Sequence, residues 1–187
     1  NAGTTNVLRT LGTKAGLFVF LGDALKCVLA VLLMRFVYQT SCADRLALLT
    51  IYTGAGVVLG HNFPFYMHFK GGKGIAASAG MLLAFQMPMN FVLVILGALA
   101  FFIPFLTTHY VSLGSLLVYA GFMIELVVFG ELGYFGMTLP LRLEFYAVGL
   151  FLTFMAYYRH RANIQRLLTH TERKTYLLKK NQEAQNG

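Results

Sequence analysis

The chain has 187 residues, 57% of them hydrophobic and 12% charged, with a formal charge of +8, a composition more apolar and less charged than soluble globular domains carry. A span takes about 20 mostly apolar residues, so this length allows about six or seven helices with short connections and excludes a sizeable soluble domain. The basic residues fall between apolar stretches, which points to topology and anionic ligands rather than nucleic acid.

The chain opens at Asn1 on a polar run, NAGTTNVLRTLGTKAG, with no signal peptide visible, and reads as truncated at its start. Small hydroxyls, Asn6 and Arg9 lie within a few residues of one another. They offer several hydrogen-bond donors and one planar fork, the chemistry that phosphate oxygens accept. A polar cap with one topology-setting arginine is the plainer alternative.

Apolar stretches follow at residues 16–37, 46–60, 74–87, 89–107, 110–130 and 143–158. Two are shorter than a full span, which predicts helices joined to polar re-entrant segments that protein or water must cover. The first stretch carries Asp23 and Lys26, three apart and able to neutralise one another. Glu125, in the fifth, has no evident partner. Cys27 and Cys42 are about four helical turns apart, too far for a disulfide, and are expected as free thiols.

Between the second and third stretches runs GHNFPFYMHFKGGKGIAASAG. Gly71, Gly72 and Gly74 let successive N–H groups point into one concavity. A helix beginning at Gly74 would add its positive N-terminus, and Lys70 and Lys73 supply full charges. Together these describe a phosphate cradle. It is not a nucleotide P-loop, because Gly74 follows Lys73 where a hydroxyl should bind magnesium. His61 and His68 are weaker signals.

After the last stretch comes YRHRANIQRLLTHTERK. If it continues the helix, His160, Asn163 and Arg166 share about a third of the circumference, beside Ile164 and Leu167. A histidine there is a candidate general base or phosphate ligand. An amphipathic helix lying on anionic lipid is the alternative.

Six crossings would put residues 1–15, 61–73 and 159–187 on one side. That side holds Arg9, Lys14, Lys70, Lys73, Arg159, Arg161, Arg166, Arg173, Lys174, Lys179 and Lys180. The other holds Arg35, Arg45 and Arg142, so the first side is expected to be cytoplasmic. No repeat relates the two halves. The expectation is an all-α, polytopic transmembrane helix bundle of about six spans, a single integral membrane domain over residues 1–187 with a polar tail at 179–187.

The chain resembles the bacterial acyl-phosphate:glycerol-3-phosphate acyltransferases, integral membrane enzymes of phospholipid synthesis with about seven spans. The likeness covers nearly the whole chain and rests on NAGTTNVLRTLG, GDALK, GHNFPFYMHFKGGKGIA, YVSLGS and HRANIQRLL. It implies transfer of a fatty acyl group from acyl phosphate to the 1-hydroxyl of glycerol 3-phosphate, giving lysophosphatidic acid and phosphate at the inner membrane of a bacterial cell. It further implies that Asn6, Arg9, His160 and Asn163 bind glycerol 3-phosphate, and that Gly71, Gly72 and Lys73, beside Lys70, form a phosphate site. Arg9, His160 and Asn163 are then the catalytic candidates. The base is left between His160 and the substrate's own phosphate. No cofactor, metal, nucleotide or nucleic acid is called for.

This sequence departs from the family in two places. The family's first motif opens with Gly-Ser-Gly ahead of the residue matching Asn1, and that serine and the helix before it do not occur here. His170 stands where the family often has glycine. A transporter or channel for a small organic anion is the rival reading, although its site would be expected near the bilayer midplane. The H-x4-D pattern of the common glycerolipid acyltransferases does not occur.

Overall fold

The computed structural model describes residues 3–85 and 89–176, the side chains of 89 and 90 aside. The polar tail expected at 179–187, Asn1 and Met87 lie outside the described residues. Among the described residues eight α-helices follow one another: α1 (Thr4–Leu11), α2 (Thr13–Tyr38), α3 (Leu46–Asn62), α4 (Ile75–Leu83), α5 (Met89–Thr108), α6 (Val111–Glu131), α7 (Leu139–Arg159) and α8 (Arg161–Leu168). Short 3₁₀ turns at Ala43–Arg45 and Phe65–Met67 flank α3.

Among the described residues five helical segments are long and apolar enough to cross a membrane: Thr13–Tyr38, Ala43–Met67, Phe91–Thr108, Val111–Glu131 and Leu139–Arg159. In lipid every backbone N–H and C=O must be satisfied within the chain, which is why such runs become helices. Their outer faces carry Phe18, Leu33, Phe36, Leu106 and Phe154, each at least half exposed, as a lipid-facing surface requires. Ile51, Met81, Tyr119, Leu126, Phe145 and Leu152 fill the interior.

Of the two stretches that looked short, the second becomes a full span once its 3₁₀ flanks are added. The third does not. With nine residues, α4 is about 14 Å long, roughly half the hydrocarbon thickness. It nevertheless lies deep among the longer helices, because its small residues allow close approach. A Cβ on Gly80 would fall 2.1 Å from the Ala24 carbonyl oxygen of α2. Arg35, near the far end of α2, reaches 2.9 Å to the Ala84 carbonyl oxygen at the end of α4, placing positive charge where a helix terminus is negative.

Among the described residues the chain thus passes back and forth in five long helices, with the short α4 running from the motif end toward the far end between α3 and α5. The consequence matters for the site: α1, the loop before α4, the α5–α6 joint and α8 all lie at one end of the bundle. Gly12, at φ 87°, turns α1 back onto α2, where Gly16 leaves room for Leu8. The segment after α8 closes this end, with the Thr175 N–H bonded to the His109 carbonyl oxygen at 2.9 Å.

Candidate functional site

Gly71 and Gly72 do not form the N–H cradle that their sequence suggested. Their N–H groups donate to the Asn62 and His61 carbonyl oxygens, each at 3.2 Å, so the segment pairs with the end of α3 like a short ladder. Neither has a positive φ; of this glycine cluster only Gly74, at 83°, does. Closeness is what requires glycine here. A Cβ on Gly71 would lie 2.0 Å from the His61 carbonyl oxygen, and one on Gly72 would lie 2.0 Å from His61 Nε2.

The two carbonyls face outward and accept from Arg159 at 2.9 and 2.8 Å, with that guanidinium over the Phe63 ring at 5.2 Å. Arg159 therefore ties the glycine segment to the end of α7. Its neighbour Lys73 is left pointing into the interior, and α4 begins two residues on, capped by Gly74 as expected.

The helix after α7 does not run straight on. His160, at φ −98° and ψ 4°, breaks it, and α8 restarts at Arg161. Within α8, Asn163 and Arg166 share a face and converge on one buried carboxylate. Asn163 Nδ2 donates to Glu172 Oε1 at 3.0 Å, and Arg166 Nε to Oε2 at 2.9 Å. On its other side Asn163 Oδ1 accepts from the Lys73 ammonium. The result is a continuous polar chain, Lys73–Asn163–Glu172–Arg166, joining residues about 90 positions apart in sequence.

Arg9 joins from α1, its guanidinium donating to Thr175 Oγ1 at 2.7 and 2.9 Å and to the Arg173 carbonyl oxygen at 3.0 Å. His160 is buried beneath the network, its Nδ1 2.8 Å from the Ala156 carbonyl oxygen. A neutral ring protonated at Nδ1 fits that contact. Lys70 stands apart, exposed on the aromatic loop.

Burial shapes the charges. It brings Lys73 down to about 8, with Arg166, Arg9 and Arg159 pushing the same way and Glu172 opposing. Burial, and then the Lys73 charge, hold His160 down at about 4. Arg9 is also lowered, chiefly by burial. At neutral pH the network therefore carries several cations against Glu172 and an uncharged imidazole.

Beside it opens a cavity of about 340 Å³. Thr4, Thr5, Asn6, Asp23, His61 and Lys73 line it at the motif end. Leu82, Leu83 and Val94 line it toward the far end of α4, with Phe101 and Phe102 of α5 between the two ends. Such a space suits a molecule with a polar head and an apolar tail. Asp23 pairs with Lys26 at 2.6 Å, as the sequence suggested, and also with His61 Nδ1 at 3.2 Å. Among the described residues no group of three or more His, Cys, Asp or Glu side chains could hold a metal ion.

Of the residues singled out from sequence, the structure gathers Arg9, Lys73, His160 and Asn163 at one end and puts Asn6 and Lys73 on the cavity wall. The sequence reading missed Glu172, Thr175 and the bracing part of Arg159. Glu172 had one signal: it is the sole acid in the strongly basic run YRHRANIQRLLTHTERK. His170 adopts φ 57° just after α8, a left-handed position that glycine takes most readily.

Residues 1–170 match the family described as "Glycerol-3-phosphate acyltransferase". Among curated relatives of that name, one from Clostridioides difficile (strain 630) is 42% identical over 93% of this chain and 78% of its own. Another from Alkaliphilus metalliredigens (strain QYMF) is 41% identical over 93% and 77%. Similar solved structures include the glycerol 3-phosphate form of PlsY (YgiH), an integral membrane glycerol 3-phosphate acyltransferase. Its TM-score is 0.75 at 32% identity, covering 94% of this chain and 78% of that one. The lysophosphatidic acid form gives 0.73 at 31% identity, with 95% and 81% covered.

Proposed function

The chain belongs to the glycerol-3-phosphate acyltransferase family and is a multi-pass membrane acyltransferase; we propose that its acyl donor is acyl phosphate and that the motif end of the bundle is the reaction site. Glycerol 3-phosphate is the acceptor and lysophosphatidic acid the product, the two ligands named for the solved PlsY forms. The observation that carries the reading is a cavity with Asn6 and Lys73 on the wall of its polar end and an apolar far end, Lys73 being bonded to Asn163 and Arg9 being held on Thr175 at the same end of the bundle. A transporter reading has no such support, because the polar groups cluster at one end of the bundle and the relatives are acyltransferases.

In the proposed reaction the 1-hydroxyl oxygen of glycerol 3-phosphate attacks the acyl carbonyl carbon. The bond from that carbon to the phosphate oxygen breaks, and the hydroxyl proton leaves with inorganic phosphate. Lys73 and Arg9 hold the two phosphates, Asn6 orients them from the cavity wall, and the glycine segment of Gly71 and Gly72 sets the position of Lys73. Phosphate is a good leaving group, so positioning and charge stabilisation supply most of the acceleration. Leaving phosphate is the better proton acceptor, since His160 is buried, engages the Ala156 carbonyl through Nδ1 and does not line the cavity. His160 and Asn163 then serve by fixing the network that aims Lys73.

The site is assigned to the cytoplasmic face of the bacterial inner membrane, because the positive-inside rule orients the more basic end of the bundle inward. The test is lysophosphatidic acid formation in lipid from acyl phosphate and glycerol 3-phosphate. The reading requires dependence on both substrates; turnover with an acyl thioester instead would replace the donor.

A further inference from the structure

Most glycines buried in this bundle are explained by packing. A Cβ on Gly16, Gly54, Gly80, Gly114 or Gly149 would meet a neighbouring helix at 2.1 to 2.7 Å. Gly97 is different. It is buried in the middle of α5, it lies on the cavity wall, and a Cβ there would meet a single atom, Leu82 Cδ1, at 3.4 Å. That distance is at the short edge of ordinary van der Waals contact. Helix packing does not require glycine at this position, and α5 is helical on both sides of it.

The place of Gly97 supplies the reason. It faces Leu82, the second-to-last residue of α4, with Leu83 and Val94 beside it. These residues belong to the apolar end of the cavity, about eight residues along α4 from Gly74, or roughly 12 Å from the polar end. Any side chain at 97 would project between α4 and α5 into the space left for the tail of an amphiphilic ligand.

We propose that Gly97, opposite Leu82, sets the length of acyl chain the enzyme accepts, by keeping the gap between α4 and α5 open at the apolar end of the cavity. The inference rests on the reading of the cavity as the acyl-donor site. An extra methyl at Gly97 narrows the gap and a leucine fills it, whereas trimming Leu82 widens it. Because the phosphate-binding groups are at the opposite end, the change falls on chain length and not on glycerol 3-phosphate.

The experiment compares kcat/KM for a graded series of saturated acyl phosphates, from short to long, with the unsubstituted protein and with Gly97→Ala, Gly97→Leu and Leu82→Ala, all in lipid. Gly97→Leu is expected to lower the long-to-short preference by about tenfold or more, the effect of one or a few misplaced methylenes in an apolar pocket. Gly97→Ala should shift it a few-fold in the same direction and Leu82→Ala in the opposite one, with the KM for glycerol 3-phosphate unchanged throughout. Gly97→Ala adds one methyl whose single neighbour is the far end of the flexible Leu82 side chain at 3.4 Å and is expected to fold, so it and Leu82→Ala decide the matter should Gly97→Leu fail to fold. Turnover with chain-length profiles parallel to the unsubstituted protein overturns this inference alone. No turnover of any acyl phosphate by the unsubstituted protein overturns the donor assignment and this inference with it.

Discussion

The two ends of the bundle use charge in opposite ways. At the far end the ion pairs are local: Asp44 binds its neighbour Arg45 with both side chains more than half exposed, and Arg142 meets Glu131 across the turn between α6 and α7, while one remote cation contact, Arg35 on the Ala84 carbonyl, ties α2 to α4. At the motif end the partners are remote and sheltered. Lys73 reaches Asn163, Arg159 reaches the Gly71 and Gly72 carbonyls, and Arg9 reaches Thr175. Exposed pairs contribute little, while buried cations are costly unless something anionic visits them. The contrast separates an end that sets topology from the end proposed to receive anions.

Removing the anion ligands should have the largest effect. Arg9→Ala and Lys73→Met are each expected to lower lysophosphatidic acid formation by about 100-fold or more, the usual cost of losing a donor at a developing charge. Retained activity in both would erase the distinction between the ends. A pH profile sharpens it. Lys73, held at about 8, is charged below that pH and neutral above, so activity should fall as pH rises through about 8. Substrate phosphates titrate near 6 and cannot make this limb. Lys73→Arg keeps the charge and should abolish the limb, while an unchanged limb would assign it elsewhere.

Next in size is Gly71→Ala. Its new Cβ would collide with the His61 backbone, and overpacking of this kind costs about 1–3 kcal/mol. Activity should drop by tens of fold with a lower melting temperature. Gly56→Ala, with nothing within 4 Å, should change neither, and equal behaviour of the two would refute the close-approach account. His160→Gln should be milder, about tenfold or less, where a lost general base would cost 100-fold or more. With His160 near 4, the profile between pH 5 and 8 should keep its shape; a changed acid limb would make His160 the base. Smallest is Asp44→Asn at the far end, for which the expected outcome is unaltered turnover.

Much of this arrangement was legible in the residues, because lipid leaves an apolar run little choice but a helix and because the basic residues announce one end of the bundle. The shortness of the third stretch was visible too. That it would still lie deep among the spans was not, since this depends on Gly80 fitting against Ala24 and on Arg35 reaching Ala84, contacts between residues 49 or more positions apart. Within the site, Arg9, Lys73, His160 and Asn163 stood out by type and spacing. The work of Gly71 and Gly72 did not, because glycine serves both positive φ and close approach, and only the position of His61 separates the two. Glu172 was passed over because one acid among many bases reads as a solvated face until Asn163 and Arg166 are seen to meet on it.

The most direct test is to follow inorganic phosphate and lysophosphatidic acid together, with the protein in lipid supplied with acyl phosphate, with and without glycerol 3-phosphate, beside Arg9→Ala. The two products are expected in equal amounts, only when both substrates are present, and nearly absent in the variant. Phosphate release that ignores glycerol 3-phosphate, or full activity without Arg9, would contradict the proposed reaction.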